Sequence, residues 1–173
     1  MKKVIKVSVI VCAVLLTSYL VTGIVKKVQY HKSVAEKIAK FPAFSFVRLS
    51  NETFRSSEIV EGPVLVVHFH PECEHCQYEI SEILKSAIPD SCTSVILVSS
   101  ASTDSIRKFL SRFNVSDYHS VIPLADSSYY FEEVFGSGII PSSYIYSRKL
   151  NLVKVLHGEV KTETILKYLQ LGE

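Results

Sequence analysis

Two cysteines separated by two residues, Cys73 and Cys76, stand at the junction of two opposite patterns. Before them, residues 64–69 (Val-Leu-Val-Val-His-Phe) are almost continuously apolar, as in a central strand covered on both faces. After them, Ile80, Ile83, Leu84, Ala87 and Ile88 recur at i, i+3, i+4, i+7 and i+8, which predicts one face of an amphipathic helix, ended by Pro89-Asp90. A thiol at such a strand-to-helix junction meets unpaired backbone N–H groups and the positive end of the helix dipole, which favour a thiolate. The second thiol lies one turn further in, placed to attack the first sulfur and resolve a mixed disulfide.

The rest of the chain reads as alternating short elements. Residues 44–49 alternate with period two, as a half-buried strand does, and 53–55 can pair back across a turn at Ser50-Asn51-Glu52. Residues 94–99 are a second buried strand. Ser102 or Thr103 caps a helix with Ile106, Phe109, Leu110 and Phe113 facing in, and Asn114 suits its end. A short extended piece at 121–124 and a brief helix at 129–135, closed by Gly136, follow. Residues 143–147 and 152–156 form a hairpin in which Asn151 is able to take a left-handed conformation. Gly158 breaks the chain, and a last helix from Thr162 turns Ile165, Leu166 and Leu169 inward. The order predicts an α/β fold, a mixed central sheet with helices on both faces.

The N-terminus has a different character. Residues 7–25 carry no charge, about 19 residues between Lys6 and Lys26-Lys27, against roughly 20 needed to cross a bilayer. No small-x-small cleavage site precedes Lys26. These features predict an uncleaved membrane anchor over 1–27, with a cleaved signal peptide as the alternative, a tether over 28–42 and a folded domain over 43–173. Lys2, Lys3 and Lys6 put the N-terminus in the cytoplasm and the domain outside it. The expected location is a single pass in a bacterial cytoplasmic membrane with the C-terminal domain facing the periplasmic, extracytoplasmic side. Net charge is +2 with no basic stripe, so nothing favours a nucleic-acid partner. Cys12 falls inside the apolar run and reads as a small apolar filler, as does Cys92 before the second buried strand.

Three features carry a resemblance: Phe69-His-Pro-Glu-Cys73-Glu-His-Cys76 after a buried strand, Gly138-Ile-Ile-Pro141 before the strand Ser-Ser-Tyr-Ile-Tyr, and the long interval between the two. From about Phe44 onward the chain resembles the thioredoxin-like superfamily, and within it the membrane-anchored TlpA/ResA-type thiol–disulfide oxidoreductases, also called redoxin-like. The resemblance implies a cis Ile140–Pro141 bond beside the cysteine pair, with Pro141 positioning substrate. It implies Cys73 as nucleophile and Cys76 as resolving thiol. Glu79 matches a glutamate of the ResA-type branch that could accept the proton of Cys76. The chain departs from the pattern in having no Trp before Cys73. Val66, Val67 and His68 stand where minimal thioredoxins keep a buried Asp.

The resemblance implies no cofactor beyond a redox-active disulfide. It also implies protein disulfide or dithiol substrates, a membrane electron donor and a reductant's direction. His75, when protonated, would stabilise the Cys73 thiolate and make the pair more oxidising, while Glu72 and Glu74 oppose this. An intermediate to reducing potential follows. Two other readings compete. Cys73, Cys76, His75 and His70 could bind copper or zinc, with His119 and His157 as more distant imidazoles. A peroxiredoxin-like peroxide reductase would need a Thr a few residues before Cys73, which is absent. His68 reads as a core or rim residue able to influence the thiols electrostatically.

Overall fold

The computed structural model describes residues 2–113, 115 and 118–172, with side chains from residue 15 onward. Its elements run α1 (Lys2–Ile38), β1 (Ser45–Arg48), β2 (Thr53–Arg55), a 3-10 turn (Ser56–Glu58), β3 (Val64–His68), α2 (Glu74–Lys85), α3 (Ile88–Ser91), β4 (Ser94–Ser99), α4 (Thr103–Leu110), β5 (Val121–Ala125), α5 (Tyr130–Phe135), β6 (Ser142–Tyr146), β7 (Leu152–His157) and α6 (Thr162–Gln170). The chain divides into two units at residue 36/37.

The first unit is helical, and it corrects the reading of the N-terminus. Among the described residues no helix is long and apolar enough to cross a membrane. The part of the uncharged run with described side chains, residues 15–25, is interrupted by Thr17, Ser18, Thr22 and Gly23 and closed by Lys26-Lys27. This overturns the expected anchor over 1–27 and what followed from it: membrane insertion, single-pass placement in the cytoplasmic membrane with the domain on the extracytoplasmic side, and a membrane electron donor. Residues 28–38, read as a tether, continue α1. Cys12 lies outside the residues with described side chains.

The second unit is built on one seven-stranded sheet in the order β2-β1-β5-β4-β3-β6-β7. β3, β4 and β5 are mutually parallel. β6 and β7 add antiparallel on one side, β1 and β2 on the other. The central strands are buried along their whole length, as their unbroken apolar runs require. Alternation sorts their side chains to two layers. Leu65, Val67 and Phe69 join a core with Cys76, Ile80, Ile83 and Leu84 of α2, Ile106, Phe109 and Leu110 of α4, and Ile165 and Leu169 of α6.

The opposite face is aromatic. His68 stacks on Phe131 at 4.1 Å between ring centroids, Phe131 on Phe135 at 4.3 Å, and Phe135 meets Tyr144 at 4.8 Å. Phe41, Phe44, Phe46 and Tyr146 continue the layer. His68 therefore lies across the sheet from α2, and burial pushes its ring down to about 4. Asp126 and the Ile139 backbone oppose that shift and His70 adds to it.

Three local readings change. The helix after Cys76 ends at Lys85, where the Ser86 hydroxyl donates to Ile83 O (2.8 Å) and accepts from the Ile88 N–H (3.1 Å). Ala87 and Ile88 lie beyond it, and Pro89 sits in the first turn of α3, where its missing N–H costs nothing. In the hairpin turn Leu150, not Asn151, has positive φ (60°). Asn151 is held instead by a bridge to Lys40. α4, capped by Ser102 Oγ on the Ser105 N–H (3.2 Å), ends at Leu110, and Asn114 lies outside the described residues.

Candidate thiol–disulfide site

The site forms where β3 ends. The Phe69 N–H still bonds Val98 O at 3.0 Å, and the chain then turns through His70-Pro71-Glu72. The Cys73 N–H donates to His70 O at 3.0 Å, and Gln77 Nε2 donates to Pro71 O at 2.7 Å, fixing the turn to the helix that follows. Cys73 is the N-cap of α2 in extended conformation, and its Sγ accepts the Cys76 N–H at 3.3 Å. The sulfur thus fills the role of a capping oxygen, answering one orphan N–H of the first turn.

The two thiols differ in access. Cys73 is half-buried and Cys76 is fully buried; both are free. Burial is the chief cause that pushes the Cys76 thiol up to about 12. Its side-chain hydrogen bond with Cys73 and the like charges of Cys73 and Glu79 add to the rise, and the His70 backbone opposes it. An accessible sulfur and a buried one, capped to each other at a helix start, form a pair set to close a disulfide. Cys92 is also buried and pushed to about 12 by burial, with only the Leu65 backbone opposing. It belongs to the core beneath α2 and α4.

Three neighbours complete the site. The Ile140–Pro141 peptide is cis, as is Gly62–Pro63. Ser142 pairs with His68 in register, so Pro141 stands just past the end of β3, where the chain turns towards Cys73. Glu79 is completely buried one helical turn beyond Cys76. It accepts from Ser143 Oγ on Oε1 and from the Val160 N–H on Oε2, both at 3.0 Å. Burial raises its pKa and the Glu159 charge adds to that, while the two hydrogen bonds oppose it. His75 is exposed, and its Nδ1 lies 2.7 Å from Glu159 Oε2.

The metal-binding alternative is not assembled: among the described residues no group of three or more His, Cys, Asp or Glu could hold a metal ion. His75 is taken by Glu159, and His70 Nδ1 accepts the Glu72 N–H at 3.3 Å. His157 Nδ1 meets Ser142 Oγ at 2.8 Å, and His119 lines a separate surface cavity with Leu49, Leu110 and Val115. Sequence reasoning did not find Glu159, Ser143 and Val160, the partners that hold His75 and Glu79. The one signal available was Gly158, read only as a break. Its φ of 78° is what brings the following loop over the helix.

This is the thioredoxin-like fold with its cysteine pair at the helix start. DsbF of Mycobacterium tuberculosis, solved in mixed oxidised and reduced forms, matches with a TM-score of 0.65 at 18% identity, over 75% of this chain and 95% of that one. A secreted Mycobacterium tuberculosis disulfide oxidoreductase homologous to E. coli DsbE matches at 0.64 and 13% identity, over 79% and 98%. Peroxidoxin BcpB of the same organism matches at 0.63 and 16%, over 78% and 96%. The chain matches no protein-family model and no curated protein. These likenesses establish the fold. The narrower assignment to a membrane-anchored TlpA/ResA type fails with the anchor.

Proposed function

We propose that the chain is a thiol–disulfide oxidoreductase that exchanges disulfides with protein substrates through Cys73 and Cys76. The observation that carries this reading is the inequality of the pair: a half-buried sulfur capping a helix, backed by a buried cysteine whose backbone N–H donates to that sulfur. In the reducing direction the Cys73 thiolate attacks a substrate disulfide. One Cys73–substrate S–S bond forms, the substrate S–S bond breaks, and the leaving sulfur takes up a proton. Cys76 then attacks the Cys73 sulfur, closing the intramolecular disulfide and releasing the second substrate thiol. Two electrons and two protons pass to the substrate, and an external dithiol restores the pair.

Cys76 must lose its proton in the second step, and we assign Glu79 to accept it. Burial disfavours the charged form of both groups, and their charges repel. Passing one proton between them keeps a single negative charge in the buried space. Pro141, without an N–H, stands at the same end of the sheet and is assigned to position the incoming chain.

The test is a trapping experiment. Cys76→Ser, incubated with a disulfide-containing reporter protein, should accumulate a mixed disulfide through Cys73 that reductant releases. An absence of adduct while Cys73 remains open to alkylation would refute the assignment of nucleophile and resolver.

A further inference from the structure

The loop after β7 touches the site at three consecutive residues. The Gly158 N–H donates to Pro141 O at 2.9 Å. The Val160 N–H donates to Glu79 Oε2 at 3.0 Å. Between them Glu159 reaches His75 Nδ1 at 2.7 Å, on the residue that separates Glu74 from Cys76. Both neighbours of Glu159 are thus tied by backbone hydrogen bonds, and Gly158 holds the positive φ the loop requires. Glu159 is placed by its backbone, so pairing has only its side-chain rotamers left to fix. Apart from the cysteines and Glu79, the acidic groups around the start of α2 are Glu72, Glu74 and Glu159; the imidazoles there are His70, whose Nδ1 accepts the Glu72 N–H, and His75, which meets Glu159.

We infer that Glu159 is a positioning residue for the dithiol: it engages the His75 imidazole, so that any charge on that ring is balanced by the carboxylate rather than by the Cys73 sulfur. This rests on the oxidoreductase reading above and deepens it by giving the pair a direction. A cation free to face Cys73 would stabilise the thiolate, hence the reduced form, and make the disulfide a stronger oxidant. With any charge on the ring balanced by Glu159, the pair keeps a reductant's direction. Reduction of the Cys73–Cys76 disulfide by a buffer dithiol breaks one S–S bond and forms one in the buffer, with two electrons and two protons transferred. Its equilibrium constant reads the effect directly.

The experiment equilibrates the full chain with reduced and oxidised dithiothreitol at pH 7 and counts free thiols by mass spectrometry. Wild type, Glu159→Gln, His75→Ala and the double variant are compared. Glu159→Gln should shift the constant three- to tenfold towards the reduced protein, and tenfold is about 30 mV. In the His75→Ala background the same substitution should shift it less than twofold, because the route runs through the ring. A shift of equal size with and without His75 would make Glu159 a direct charge effect and overturn the inference; so would no shift in either background. A wild-type chain with no reversible disulfide would instead sink the oxidoreductase reading, and this one with it. Glu159→Asp, which keeps the charge, should return the constant towards wild type, a rescue that a purely structural loop defect would not give.

Discussion

Cys76 offers the sharpest quantitative test of the site. Its thiol is pushed to about 12, chiefly by burial. At pH 8 a group with that pKa is about one part in 10⁴ thiolate, whereas an ordinary cysteine near 8.5 is about one quarter ionised. The deficit is on the order of 2,000-fold. A more basic thiolate is intrinsically the better nucleophile, with a slope of about 0.4–0.5, which over this gap returns roughly 25- to 55-fold. Cys76 should therefore react with iodoacetamide roughly 40- to 80-fold slower than a cysteine in an unstructured peptide, before limited access slows it further. Cys92, buried and pushed to the same value, is the internal control and should be equally slow. The assay is a timed alkylation of the fully reduced chain, quenched with acid and resolved by peptide mass spectrometry. Cys73 should carry the label first. Modification of Cys76 within about threefold of the free peptide, in a chain still folded by circular dichroism, would refute the claim that burial separates the roles of the two thiols.

Two further outcomes follow from the buried ionisable groups. His68 is 6% exposed with its ring pushed down to about 4, so the unfolded chain binds its proton at higher pH than the folded one. The stability it permits is complete above about pH 6.5 and is lost as pH falls towards 4. A gap of about 2.5 pH units at about 1.4 kcal/mol each predicts that wild type loses roughly 3 kcal/mol more over that window than His68→Phe in urea unfolding; parallel curves would contradict it. Glu79→Ala removes the acceptor of Ser143 Oγ and the Val160 N–H, and should cost about 2–4 kcal/mol. Glu79→Gln, which keeps an amide oxygen for one of them, should cost about 1 kcal/mol. Equal losses in the two variants would mean that packing rather than hydrogen bonding sets the cost.

What could be read from the sequence was local. The apolar run at 64–69 and the helical face of Ile80, Ile83 and Leu84 each describe a backbone period, and both hold, because burial on a central strand or on one helix stripe constrains every residue in turn. The cysteine pair inherits its geometry from that junction alone, so its place at the cap of α2 was visible. Pro89 was misread because a proline can end one helix or begin another, and the choice fell to the Ser86 hydroxyl, a side-chain contact that periodicity does not encode. Asn151 was misread for a similar reason: its intrinsic tolerance of positive φ was overridden by a bridge to Lys40, far away in the chain.

The N-terminal run erred in the other direction. Freedom from charge is necessary for a membrane span but is not enough, and the polar and small residues at 17, 18, 22 and 23 count against one. The same limit explains why half of the candidate site stayed hidden. Glu79 was noticed for its spacing from Cys76, yet its burial depends on Ser143 and Val160, 64 and 81 residues away in sequence. His75 was weighed against Glu72 and Glu74, its neighbours in sequence, while the carboxylate that meets it is 84 residues on. The helix start supplies the reacting sulfurs, but their environment is assembled by the loop that closes over them. The balance between oxidant and reductant that we infer therefore rests on a pairing that no window of sequence contains.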